Sequence, residues 1–112
     1  MRLGAMVLML ALAGCQKVEY VGVDVAFDID PQGRTTSAKC IASSGGTCQI
    51  DFRGPAAIRA SLQPGEMRRF QGIVPGASVC IEPEAAALAK CEPVTLAAGY
   101  ARIRRGRYNR MS

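Results

Sequence analysis

Val21, Val23, Val25, Phe27 and Ile29 occupy successive odd positions, and Asp24, Asp28 and Asp30 stand between them. Successive side chains of a β-strand point to opposite faces. A period of two therefore puts the large apolar side chains on one side of the backbone and the carboxylates on the other. This predicts a strand over residues 21–29 with one buried face. A strand of that kind needs a second layer to cover it, so it constrains the whole fold.

The rest of the chain supplies material for that layer. Asp30-Pro31-Gln32-Gly33 is a turn signal, with proline suited to the second position and glycine to the fourth. Residues 35–41 have the threonine content of a second strand, and Ser43-Ser44-Gly45-Gly46 reads as a loop. Cys48, Ile50 and Phe52 alternate with polar neighbours, Gly54-Pro55 interrupts, and Ile58, Ala60 and Leu62 alternate again. Gln63-Pro64-Gly65-Glu66 turns the chain into a fifth candidate at 67–73, and Pro75-Gly76 separates this from a sixth at 78–82. Residues 84–90 are alanine-rich and suit one or two helical turns; 94–96 and 100–104 complete the pattern. Short strands punctuated roughly every ten residues predict an all-β chain: a small antiparallel β-sandwich, immunoglobulin-like, of about 7–8 strands.

The first residues follow a different logic. Met1-Arg2 is positive and residues 3–13 carry no charge. That run is short of the ~20 residues that cross a bilayer and matches the ~7–15 of a secretory signal core. It ends at Leu12-Ala13-Gly14-Cys15, which resembles the lipobox of bacterial lipoproteins. The resemblance covers residues 1–15 and concerns processing, not activity. It implies removal of residues 1–14, a covalent lipid on the Cys15 thiol and acylation of the new amino terminus; no other cofactor is expected. Two or more acyl chains anchor a protein stably to a membrane. Gln16, rather than Asp, follows Cys15. By resemblance to enterobacterial lipoproteins, this points to the outer membrane, facing the periplasm. The expected organisation is a signal peptide at 1–14, a lipidated cysteine and short linker at 15–20, a sandwich domain at 21–105 and a basic C-terminal tail at 106–112. So short a linker places the domain close to its membrane.

With Cys15 assigned to lipid, Cys40, Cys48, Cys80 and Cys91 remain. An even number in an oxidising compartment reads as two disulfides. With no histidine and no Cys-x-x-Cys, the set does not suit zinc. Cys40–Cys48 and Cys80–Cys91 close short loops and are the preferred pairing. The rival is a bridge between sheets such as Cys48–Cys80, since alternation puts Cys48 on the face of Ile50 and Phe52.

The sequence argues against catalysis and against a metal site. The commonest general base is missing, no serine has a plausible basic partner, and the glycines at 45 and 46 sit in a hairpin rather than a phosphate loop. Asp24, Asp28 and Asp30, with Asp51 nearby, raise the idea of calcium. However, positions four apart on a strand are about 13 Å apart, so a solvated outer face is the preferred reading.

Arg102, Arg104, Arg105, Arg107 and Arg110 fall in the last eleven residues with no acid among them. Without Arg2 the chain has 13 basic and 9 acidic side chains, a net +4; without these five arginines as well, the balance is −1. The guanidinium fork suits phosphates and carboxylates. In the periplasm that means anionic lipid, lipopolysaccharide, wall-peptide carboxylates or an acidic protein, and not nucleic acid. The expected function is a non-enzymatic, lipid-anchored module of a cell-envelope, secretion or surface-fibre assembly, with an envelope protein as partner. Two alternatives stand beside it: an inhibitor of a periplasmic hydrolase acting through the loops at 43–46 and 83–90, and a direct binder of peptidoglycan or lipopolysaccharide through the arginines.

Overall fold

The computed structural model describes residues 17–54 and 57–111, with side chains for 20–54 and 57–107. Cys15 and the signal segment lie outside the described residues. Eight strands run in chain order: β1 (Lys17–Ile29), β2 (Thr36–Ser43), β3 (Cys48–Gly54), β4 (Ala57–Leu62), β5 (Met67–Phe70), β6 (Ser78–Glu82), β7 (Val94–Thr95) and β8 (Gly99–Met111). A 3₁₀ helix, Ala85–Lys90, follows β6. The strands form two antiparallel sheets with orders β5-β2-β1-β8 and β4-β3-β6-β7. The chain is a small all-β sandwich, as its alternation predicts.

The core lies between the two inner faces. Val23, Val25, Phe27 and Ile29 come from β1, and they meet Ile50 and Phe52 of β3, Leu62 of β4, and Val79 and Ile81 of β6. Phe52 is the aromatic hub: its ring stands edge-on to Phe27 at 6.0 Å and to Phe70 at 5.1 Å. Such contacts add about 0.5–1.5 kcal/mol each beyond burial of area. Thr36 is fully buried, and its hydroxyl donates to the Ile73 carbonyl at 3.0 Å. The fifth strand ends at Phe70, and Ile73 enters the core from the turn that follows.

Both disulfides are the local pairs, Cys40–Cys48 and Cys80–Cys91. The register explains the choice. Cys48 faces the core from β3, but Cys80 lies on the opposite side of its own sheet, in a satellite cluster with Leu88 and Cys91. Cys48–Cys80 would have to pass through the sheet. The local pair also performs the rival's role, because the chain changes sheets between β2 and β3, so Cys40–Cys48 bridges the two layers.

Lettered in immunoglobulin fashion, β1, β2 and β5 stand as A, B and E, and β4, β3, β6 and β7 as C′, C, F and G. Seven strands thus close the sandwich. The eighth, thirteen residues long, is added outside β1 and becomes the edge of the first sheet.

Here the structure departs from the expected boundaries. β1 begins at Lys17 and not at 21, and the chain beyond Gly106 is not a tail. Lys17 to Ile29 pairs with Met111 to Gly99 residue for residue. β2 leaves β1 at Val23, so residues 17–22 and 106–111 form a two-stranded ribbon beyond the body of the sandwich. The sequence conceals this because the pairing joins distant segments of the chain, which no local alternation signals; Gly22 lies inside the expected first strand, and Gly106 marks the expected start of the tail. The two glycines in fact face each other. A Cβ on either would overlap the Tyr20 ring, which covers the pair.

Candidate docking surface

The outer faces of the two sheets differ. On the second sheet, the 3₁₀ helix is stapled over β6 by Cys80–Cys91, and Leu88 is buried beneath it. Arg53 of β3 reaches up and donates to the carbonyls of Leu88 and Cys91. Part of that face is thereby closed.

The outer face of the first sheet is open. Register places Met67, Lys39, Ala26 and Arg102 in one row across the four strands, and Arg69, Ser37, Asp28 and Tyr100 in the next. Tyr100 is 69% exposed and Met67 53%. Lys39, Asp28, Arg69 and Arg102 are exposed with them. Two depressions flank the rows. One, of about 400 Å³, lies among Tyr20, Gly22, Asp24, Ala42, Ser44 and Arg104, where the β1–β2 register shifts at Asp24 and Val25. There the Ser44 hydroxyl accepts the Gly22 N–H at 3.0 Å. The other, of about 450 Å³, lies among Asp28, Asp30, Thr35, Ser37, Met67 and Arg69.

The structure divides the five arginines between environments. Arg104 pairs with Asp24 across the β1–β8 ladder, and Arg102 with Ala26. Arg102 turns diagonally and grips Asp24 with two nitrogens, Nε to Oδ1 at 3.0 Å and Nη2 to Oδ2 at 2.7 Å. Arg104 Nε donates to the same Oδ2 at 3.2 Å. The Arg102 hydrogen bonds, opposed by partial desolvation and aided by both positive charges, hold the Asp24 carboxyl below its ordinary 3.8. Two cations on one anion leave this cluster net positive.

Arg105 belongs to the other side of β8. Its Nη1 donates to the Glu92 carbonyl at 2.7 Å, and its Nε lies 3.9 Å from Glu82. Arg107 is exposed opposite Val21, with no ion pair among the described residues. Arg110 sits opposite Val18 in the ribbon. The expected single patch is thus a strand with arginines on both sides.

The aspartates expected on the outer face are also distributed by pairing. Asp30 accepts the Arg34 N–H at 2.7 Å in its turn, and that bond, with those from Gln32 and Thr35 and the charge of Arg34, lowers its pKa against partial desolvation. Asp51 lies between Arg53 at 3.1 Å and Arg59 at 3.5 Å. Asp28 is exposed. Among the described residues no three potential ligands are grouped to hold a metal ion.

Comparison with known proteins returns nothing: no protein-family model, curated protein or solved structure matches the chain.

The loops at 43–46 and 83–90 meet. Gly45 packs against the Pro83 carbonyl so closely that a Cβ would overlap it. Each loop is tied by its own disulfide. Spacing along the chain did not reveal this contact, which depends on β2 and β6 ending at the same end of the sandwich. Sequence reasoning also missed Asp24 as the arginines' partner and Met67 as part of the open face. Both follow from pairings between distant segments. The grouping of Tyr100, Arg102 and Arg104 on one face was accessible from alternation alone.

Proposed function

We propose that this protein is a lipid-anchored, non-enzymatic docking module of the cell envelope. It would be held through Cys15 at the outer membrane, facing the periplasm, as an accessory or structural part of an envelope, secretion or surface-fibre assembly. The observation that carries the reading is the open outer face of the first sheet. Tyr100, Met67, Arg102 and Arg104 share it, and tyrosine, methionine and arginine are the residue types enriched where proteins bind one another. The ribbon supports the anchored arrangement, because it pairs the arginine-bearing end of β8 with the segment that follows Cys15. From Lys17 to Gly22 it spans about 17 Å, and it would stand between the lipid and the sandwich.

In-cell crosslinking followed by purification tests this, comparing the intact protein with Tyr100→Ala/Met67→Ala. One large envelope partner, lost in the variant, supports docking through this face. Absence of any protein partner from the intact chain overturns it and leaves direct binding of lipopolysaccharide or peptidoglycan.

A second reading has its own support. The contact between Gly45 and Pro83 joins two disulfide-tied loops into one rigid end, a form suited to inhibiting a periplasmic hydrolase. That reading predicts that changes at Ser44 and Glu84, and not at Tyr100, abolish binding.

A further inference from the structure

β8 offers backbone as well as side chains. It pairs with β1 along its whole length, and no other described strand pairs with it. In an antiparallel ladder alternate residues direct their N–H and C=O groups away from the partner, so the far side of β8 presents unpaired donors and acceptors. The other edges are short: β5 has four residues, β4 six and β7 two.

Proteins blunt long edges with proline, bulges, covering segments or charge. Residues 99–111 contain no proline. Their ladder with β1 runs without a register shift, whereas β1–β2 and β3–β6 are each interrupted once. Charge is the device that remains, and it has one sign. Two β8 edges in antiparallel contact would bring arginines against arginines, which is destabilising. The edge therefore rejects a second copy of itself while attracting acidic chain. Arg102 and Arg104 lie on one side of the strand and Arg105 on the other, so an added strand would meet guanidinium groups on both its faces.

We propose that the free edge of β8 receives an extended acidic segment of an envelope protein, which adds a fifth strand to the first sheet. This rests on the docking reading and specifies its mode: backbone hydrogen bonds hold the segment, and its carboxylates select the arginines.

The test uses the lipidated full chain in neutral detergent, with a short synthetic peptide alternating Glu and Val as probe. The control is the same pattern with Lys for Glu. Amide exchange is followed along the chain. The Glu peptide is expected to slow exchange in Gly99–Met111 and not in β4 or β5, with protection weakened about tenfold at ~0.5 M salt. Arg107→Glu breaks no described ion pair and is expected to weaken the protection without loosening the core. Arg104→Glu should do the same if its amide protection elsewhere is unchanged. Equal protection by the Lys peptide, protection of another edge, or none at all overturns the proposal. So does a concentration-dependent dimer with β8 protected without peptide, or protection only by anionic vesicles. If β8 stays unprotected while crosslinks through the Tyr100 face persist, strand addition fails and docking stands. If both are lost, the docking reading fails with it.

Discussion

The ring of Tyr20 lies across Gly106 on the neighbouring strand, at the point where Gly106 faces Gly22. Glycine in a strand leaves backbone exposed and contributes no packing, and an aromatic ring laid over it restores cover. This arrangement holds the β1–β8 ribbon together where β2 has left the sheet.

Tyr20→Ala should therefore destabilise the ribbon by about 1 kcal/mol, the scale of a cross-strand contact. Gly106→Ala should cost a similar amount, because the new methyl displaces the ring. In the Tyr20→Ala background the same change should be neutral or stabilising, since alanine suits a strand better than glycine. A double-mutant cycle by denaturant unfolding, with amide exchange of 17–22 and 106–111, measures the coupling; additive effects would contradict it.

Thr36→Val should destabilise the domain by about 1–2 kcal/mol although it is nearly isosteric. It removes the buried hydroxyl that donates to the Ile73 carbonyl, leaving that acceptor unsatisfied. Urea unfolding with an unchanged m-value is the check.

How legible was this fold? The period of two at 21–29 identified four fully or almost fully buried side chains, Val23, Val25, Phe27 and Ile29, whereas Val21 at its start is only half-buried. The same alternation placed Cys48 inward correctly. It gave no signal for the outer ends of β1 and β8. Residues 17–20 and 106–111 gain their order from each other across about ninety residues of chain, and no local pattern signals such a pairing. The same limit explains Asp24: its grip on Arg102 depends on register between residues 78 apart. The arginine cluster was visible as composition, but its division between two environments required knowing that the segment is a strand.

The two disulfides should have separable effects. Loss of Cys40–Cys48 removes a bridge between layers, and a loop of this size contributes roughly 2–3 kcal/mol. Cys40→Ala/Cys48→Ala should lower global stability by that order. Cys80→Ala/Cys91→Ala should instead raise amide exchange first in Ala85–Lys90, freeing the 3₁₀ helix while the sandwich core stays protected. Loss of core protection before the helix would contradict this division.

Asp24 predicts an acid dependence. Its folded pKa lies below its ordinary 3.8, so the charged form is favoured in the native state. This contribution is fully present above about pH 4 and is lost as pH falls through the depressed folded value. Arg102→Ala should move the Asp24 titration upward, toward 3.8, as followed by carboxyl NMR. It should also make the acid limb of the stability profile shallower than in the intact protein.

Docking of an envelope partner is expected on the open face of the first sheet and not on the partly closed second one. The most direct measurement is site-specific photocrosslinking in cells, with the reactive group placed at Tyr100 in one strain and at Ser61, on the outer face of β4, in another. One discrete envelope-protein adduct is expected from position 100 and none from 61. Adducts of equal yield from both positions, or from 61 alone, would contradict it.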